Sequence, residues 1–212
     1  LSSASVLHFL PIESRRLIMN DKILLDPPGA GLPTLELLAS RLGFRALRTT
    51  LSRRRSQEWL CYETRRVLAT VRELPVEQLQ RQVLIPRLAG LEDSSRNWSA
   101  AMVLQHLAIV DTEIGQILGA LSEGEAFARE TRIADVKPTT DAGQELLVQL
   151  EQALSTYLGQ VAAIKDLHTV RRHAHPWFGP LNGHGWHTLA AMHTMVHRRQ
   201  LDAIVRRLKK RP

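Results

Sequence analysis

Three histidines have the residue type and spacing of a metal site. His193 and His197 are four residues apart in a segment with helical periodicity, so their imidazoles lie on one helix face within reach of a single ion. His106 falls on the inward, apolar stripe of another predicted helix. A buried neutral imidazole needs partners for both ring nitrogens, and a metal supplies one of them. The three histidines are therefore candidate ligands of a divalent metal.

Each histidine taken alone also fits a structural role. A single His on an apolar face is often a core residue hydrogen-bonded to a neighbour, and an HxxxH pair arises by chance. Thr194, Met195 and Val196 separate the pair, so the glutamate of an HExxH motif is missing. This disfavours a zincin protease.

Two further polar residues are candidates for catalysis. Glu113 lies two turns beyond His106 on the same stripe and is placed to orient a ligand or act as a base. The alternative is a solvent-facing charge near one end of the helix bundle. Gln200 lies close to one turn beyond His197, where it would hydrogen-bond a ligand or a backbone group.

Other aromatic residues receive structural interpretations. His175 and Trp177 precede the last helix and would rim a pocket, although we favour a role of His175-Pro176 in shaping the turn. His187 is off the inward stripe, which predicts exposure to solvent. Trp59, Trp98 and Trp186 are predicted to anchor the core rather than to stack on a substrate.

Apolar residues at helical spacing predict the elements that must position these side chains. Four long helices are expected over residues 51–74, 98–121, 141–166 and 186–208. Asn97 or Ser99 is placed to cap the second of them. A shorter helix is expected over 34–42 with Gly43 as its stop, and residues 171–185 are expected to be irregular.

These elements predict an all-α fold. Four amphipathic helices of about twenty residues pack best as a bundle. The connections are longer than the roughly two to eight residues that an up-down bundle needs, so at least one crossover is expected. Residues 1–50 are predicted to be a loop-rich N-terminal extension with a short helix, and residues 51–210 to form the bundle.

Bulk composition excludes some classes of protein. The 212 residues carry a net charge of +7, but the Arg and Lys groups are dispersed at helical spacing, which is typical of a solvated face. Nucleic-acid binding is therefore the less favoured alternative. One cysteine, Cys61, excludes an intrachain disulfide and fits the cytoplasm. The sequence contains no run of about 18 apolar residues that would span a membrane. Met19 is a candidate translation start.

Two segments resemble a known family. Asn97-Trp98-Ser99 followed by Gln105-His106-Leu107 is similar to the "W-S … HL" signature of the DinB/YfiT-like superfamily. Residues 175–181 read HPWFGPL, and Trp186 and the HTMVHRRQL of residues 193–201 follow. They resemble the C-terminal HPxFGxL and HxxxHxxQ signatures of that superfamily. The resemblance covers roughly residues 55 to 208. About fifty additional N-terminal residues distinguish this chain from it.

The resemblance implies a four-helix bundle with a crossover and a divalent metal such as zinc, nickel, iron or manganese. It gives the ligand role to His106, His193 and His197. Members include thiol transferases that use a low-molecular-weight thiol, isomerases and hydrolase-like proteins, and homodimers are frequent among them. The expected function is therefore a metal-dependent thiol transferase or hydrolase acting on a small molecule. The alternative is a non-catalytic metal-binding or small-ligand-binding stress protein.

Overall fold

The computed structural model describes residues 24–139 and 145–210, so the suggested start at Met19 and the predicted helix residues 141–144 lie outside it. The described chain forms six α-helices and two short two-stranded antiparallel sheets. The helices are α1 (Thr34–Thr50), α2 (Arg53–Arg72), α3 (Val76–Leu79), α4 (Ala100–Ser122), α5 (Leu146–Ala163) and α6 (Gly183–Lys209). Strand β1 (Val83–Leu84) pairs with β2 (Asn97–Trp98), and β3 (His173–His175) pairs with β4 (Gly179–Leu181).

Helices α2, α4, α5 and α6 form a four-helix bundle. Helix α4 packs against both α5 and α6, whereas α2 packs chiefly against α6, the last helix of the chain. Consecutive long helices are therefore not always spatial neighbours, which confirms the predicted all-α bundle with a crossover. Among the described residues, no helix is long and apolar enough to cross a membrane.

Polar caps fix where the long helices begin. The Ser99 hydroxyl accepts a hydrogen bond from the Met102 N–H at 3.2 Å, so α4 starts at the second of the two caps predicted for it. The Asn182 side chain accepts from the Gly185 N–H at 3.0 Å. This cap starts α6 three residues earlier than predicted. Gly183 is required there because a Cβ would lie 2.9 Å from the Leu167 carbonyl oxygen.

Two apolar clusters fill the bundle and leave a polar layer between them. Along α6, the fully buried members of one cluster end at Ala191 and those of the other begin at Leu201. Along α4 the corresponding boundaries are Leu107 and Ile114. His106 borders this interval, and seven buried polar residues of α2, α4 and α6 lie in it: Glu63, Thr64, Asp111, Glu113, Thr194, His197 and Gln200.

The prediction of a short N-terminal helix is wrong in its extent. Helix α1 continues through Gly43, the expected stop, to Thr50. A glycine inside a helix costs about 1 kcal/mol relative to alanine, but Phe44 beyond it is buried in the apolar cluster that contains Ile114 and Ala191. That burial offsets the cost. The predicted division of the chain after residue 50 stays a prediction.

Two expectations about the region before and at the start of α6 are also wrong. Residues 171–185 are not irregular throughout, because β3 and β4 form a hairpin within them. His187 is fully buried rather than exposed. Its Nδ1 accepts from the Tyr157 hydroxyl at 2.7 Å and its Nε2 donates to the Arg53 carbonyl oxygen at 3.1 Å. Helix α6 is covered on several sides, so a position off its main stripe is buried too.

Candidate metal centre

The three predicted histidines converge at the middle of the bundle. Helix α4 supplies His106, and α6 supplies His193 and His197 one turn apart. The Nε2 atom of His106 lies 3.1 Å from the Nε2 atoms of both His193 and His197. Two donors that share one ion at about 2.05 Å are separated by about 2.9 Å at a right angle and about 3.3 Å at the tetrahedral angle. The observed separations fall within this interval.

Backbone carbonyls fix the protonation of two of the rings. His106 Nδ1 lies 2.7 Å from the Val136 carbonyl oxygen, which only accepts, so Nδ1 carries the proton. The Gln200 Nε2 donates to the Ser95 carbonyl oxygen at 2.6 Å, and its Oε1 therefore faces His197. His197 Nδ1 donates to this oxygen at 2.7 Å.

The neutral rings of His106 and His197 therefore direct lone pairs at one another. Each carries its proton on Nδ1, so neither Nε2 atom has a hydrogen to place in the 3.1 Å gap. Two facing lone pairs at this distance are unfavourable unless a positive charge lies between them. A cation coordinated by both nitrogens supplies that charge.

The electrostatic environment keeps the three imidazoles neutral at pH 7. Burial lowers the pKa of His106 to about 4, and the nearby Lys137 ammonium adds to the effect. Burial and the neighbouring histidine rings hold the pKa values of His193 and His197 well below the usual range. Metal binding requires deprotonated imidazoles, so the protein presents these rings in the form that binds.

Trp98 packs against the site from the β2 strand. Its ring is stacked on His197 with centroids 5.8 Å apart and meets His106 edge-on at 5.1 Å. Trp98 is buried, as is Trp186, which confirms the prediction that both anchor the core, whereas Trp59 is half-buried. The apolar ring shields the imidazoles from bulk water and restricts their orientation.

The histidines open into a pocket of about 320 Å³. Its lining is largely apolar and comes from α1, α4, α6, the loop residues 89–95 and 131–137, and the hairpin before α6. His175 and Trp177 are part of this lining. The His175 Nδ1 also accepts from the Trp177 N–H at 3.1 Å, so His175 both shapes its turn and contributes to the pocket.

Glu113 lies in the same pocket rather than in bulk solvent. Its side chain is buried, and its Oε1 forms an ion pair with Arg129 Nη2 at 3.2 Å. The Thr131 hydroxyl donates to the same oxygen at 3.5 Å and contacts His173 Nε2 at 3.0 Å. Gln200 is fully buried and contacts His197 directly. The structure thus places both candidates in or next to the site.

Several residues of the site could not be found from the sequence. The carbonyl groups of Ser95 and Val136 orient the ligand rings, but any residue type supplies a carbonyl. Lys137 donates to Glu92 Oε2 at 3.1 Å, and both line the pocket. No periodicity marks these loop residues, so only the tertiary structure shows that they belong to the site.

The fold and the site define a helical-bundle protein in which three imidazoles converge on a pocket. The comparison with protein families is more specific. A sequence profile of the DinB superfamily matches residues 61–201, and the chain belongs to this superfamily. The resemblance seen in the sequence is therefore confirmed.

A solved structure agrees with this assignment at the level of the fold. The crystal structure of TT2238, a four-helix bundle protein, matches with a TM-score of 0.54 and 24% sequence identity. The match covers 72% of this chain and 99% of that chain. No curated protein matches the sequence.

Proposed function

We propose that this chain binds one divalent cation through His106, His193 and His197 and is a metal-dependent enzyme acting on a small molecule. The observation that carries the proposal is the 3.1 Å separation of the His106 and His197 Nε2 atoms, whose rings both use Nδ1 as the hydrogen-bond donor. A convergence of three neutral imidazoles is the donor set that zinc, nickel and iron accept. Thiol transfer and hydrolysis are the two reaction classes that this site supports best.

The residues around the donors suit either reaction. Three protein ligands leave coordination positions open toward the pocket. A divalent cation held there supplies Lewis acidity, which lowers the pKa of a water or a thiol. Gln200 holds the His197 ring in its orientation. The Glu113 carboxylate, which is paired with Arg129, lines the pocket as the candidate proton acceptor. The apolar lining excludes water and strengthens these interactions.

Metal titration of the full chain tests the first half of the proposal. After treatment with a chelator and dialysis, the protein is expected to bind one equivalent of Co²⁺, with a visible spectrum typical of nitrogen ligands. Zn²⁺ is expected to displace it. A chain that binds no Co²⁺, or only several ions weakly, would contradict the site.

Turnover separates the reaction classes. The metal-loaded chain is incubated with low-molecular-weight thiols and an electrophile, and separately with small esters and amides. Thiol consumption identifies a transferase and ester or amide cleavage a hydrolase. Metal binding without turnover of either kind would favour a non-catalytic binding protein, the alternative that the sequence left open.

Gln200→Leu is expected to weaken Zn²⁺ binding about 10- to 100-fold, because an outer partner of a ligating histidine contributes about that much to affinity. The substitution removes the acceptor that fixes the His197 tautomer. Gln105→Leu is the matched control, since Gln105 is next to His106 but its side chain contacts Thr139. Competition with a chromophoric chelator measures both affinities, and equal values in the two variants would contradict the role of Gln200.

A further inference from the structure

Helix α1 forms a wall of the metal-site pocket although it lies outside the part of the chain that matches the superfamily. The match begins at residue 61, whereas Leu32, Phe44 and Leu47 line the pocket together with the three histidines. We propose that this N-terminal segment, residues 32–47, selects the ligand of the site, and that the ligand has an uncharged aryl or branched-alkyl body. This inference rests on the proposed function, in which one end of the same ligand binds the metal held by the three histidines.

Hydrogen bonds and ion pairs hold α1 against the bundle along its whole length. Near its start, Glu36 accepts from the Gly90 N–H at 2.7 Å and pairs with Arg87. In its middle, Arg41 Nε donates to the Trp177 carbonyl oxygen at 2.6 Å. At its end, His184 Nε2 donates to the Arg48 carbonyl oxygen at 3.1 Å. The wall is thus a fixed part of the pocket rather than a loosely attached helix.

The turn before α1 is fastened to the loop that supports the metal site. Glu92 Oε1 accepts from the Gly29 and Gly31 N–H groups at 2.9 and 3.1 Å. Both glycines have positive φ values, 90° and 85°, which allow the two N–H groups to reach one oxygen. Burial alone would raise the pKa of Glu92, but hydrogen bonds from Ser94, Gly31 and Lys137 outweigh it and the pKa is lowered. The carboxylate therefore stays ionised and keeps the turn in place.

The chemistry of the lining indicates the class of ligand. Phe44 of α1 contacts Phe178 with ring centroids 4.6 Å apart, and His175 stacks on Phe178 at 5.0 Å. The acidic groups that reach the pocket are already paired, Glu92 with Lys137 and Glu113 with Arg129. The two arginines of the lining, Arg132 and Arg199, are exposed. An aromatic lining with paired acidic groups favours an apolar, uncharged body. A volume of about 320 Å³ is at the small end of the range for small-molecule pockets, about 300–1,000 Å³.

Binding of N-phenyl-1-naphthylamine, an uncharged aromatic dye that fluoresces in apolar sites, tests the proposal in the full chain with and without Zn²⁺. Leu47→Gln is expected to weaken dye binding about five- to tenfold, because it replaces apolar wall surface by an amide. Leu42→Gln is the matched control, since Leu42 is on the same helix but is 60% exposed and does not line the pocket. It should change the affinity by no more than about twofold.

A second variant tests whether Leu47→Gln weakens dye binding only by disturbing the local structure of α1. A Cβ added at Gly43, which also lines the pocket, meets no atom within 4 Å. A side chain at this position therefore starts in open space, and Gly43→Phe is expected to occupy pocket space and weaken dye binding. Unchanged dye affinity in both variants would overturn the proposal. Equal or tighter binding of 8-anilinonaphthalene-1-sulfonate, the anionic counterpart of the dye, would overturn the assignment of an uncharged body.

Metal titration of the α1 variants separates the proposed role of α1 from the proposed metal binding by the three histidines. Helix α1 supplies none of the three histidines, so Co²⁺ titration of Leu47→Gln and Gly43→Phe should match that of the unchanged chain. Should the chain bind no metal while Leu47→Gln still weakens dye binding, the proposed function would fail and the role of α1 would stand. If metal binds normally but neither Leu47→Gln nor Gly43→Phe changes the dye affinity, only the role of α1 would be contradicted.

Discussion

Replacing His193 with alanine is expected to abolish stoichiometric metal binding, with a loss of Zn²⁺ affinity greater than about 100-fold. The loss of an outer partner costs about 10- to 100-fold, and His193 is a proposed direct ligand 3.1 Å from His106 Nε2. Elemental analysis after dialysis measures the bound metal. Thermal unfolding gives a second measurement, since a ligand that binds only the folded chain raises the melting temperature. Zn²⁺ should raise it in the unchanged chain and not in His193→Ala.

His184→Ala is the matched control for this variant. His184 is on the same helix and is buried, but its ring contacts the Arg48 carbonyl oxygen and His168 rather than the three histidines. This control is expected to lose stability and keep its metal. Equal metal content in His193→Ala and the unchanged chain would refute the site. Loss of metal from both variants would show that folding, rather than ligation, had been disturbed.

Asp111→Asn is expected to remove a large pH dependence of stability. Asp111 is 1% exposed, and neither carboxylate oxygen has a hydrogen-bond partner within the described part of the chain. Burial raises the pKa of this carboxyl from 3.8 to about 7. The group does not contact the three histidines through any hydrogen bond described for them. Its titration therefore reports on the core of the bundle.

The direction of the effect follows from proton binding. Between pH 4 and 7 the folded chain keeps a proton on Asp111 that the unfolded chain has released. The free energy of unfolding therefore falls as the pH rises through this interval and levels off above it. The difference of about three pKa units corresponds to about 4 kcal/mol. Asp111→Asn has no such proton, so its stability relative to the unchanged chain should rise by about this amount between pH 4 and 8.

Urea unfolding of the metal-free protein at several pH values measures this difference. Asp135→Asn is the control, because Asp135 is exposed and its substitution should leave the pH dependence of the unchanged chain intact. Parallel stability curves for Asp111→Asn and the unchanged chain would show that the Asp111 carboxyl ionises in the folded protein as it does in water.

The sequence by itself determined where the long helices lie and which residues share a helix face. The four-residue spacing of His193 and His197 places both rings on one face of α6 because an α-helix has 3.6 residues per turn. The same periodicity defined the four long helices and put His106 on the inward stripe of α4. The signature residues Trp98, His106 and the HPWFGPL segment pointed to the superfamily, which the match over residues 61–201 confirms.

Helical periodicity gave wrong predictions where contacts with distant parts of the chain determine the length of a helix or the burial of a side chain. The sequence predicts a helix end at Gly43, but α1 continues because Phe44 is buried against the bundle. His187 reads as exposed, but it is fully buried, with partners on α5 and α2. Both errors concern contacts between residues far apart in sequence, which no local pattern encodes.

The tertiary structure alone decided that the imidazoles meet and what surrounds them. The packing of α4 on α6 brings His106 to 3.1 Å from His193 and His197, and the carbonyl groups of Val136 and Ser95 arrive from separate loops to fix two of the rings. The placement of α1 beside Phe178 completes the pocket. The physical reason is that a helix face follows from a few neighbouring residues, whereas the relative placement of helices and loops follows from burial summed over the whole chain.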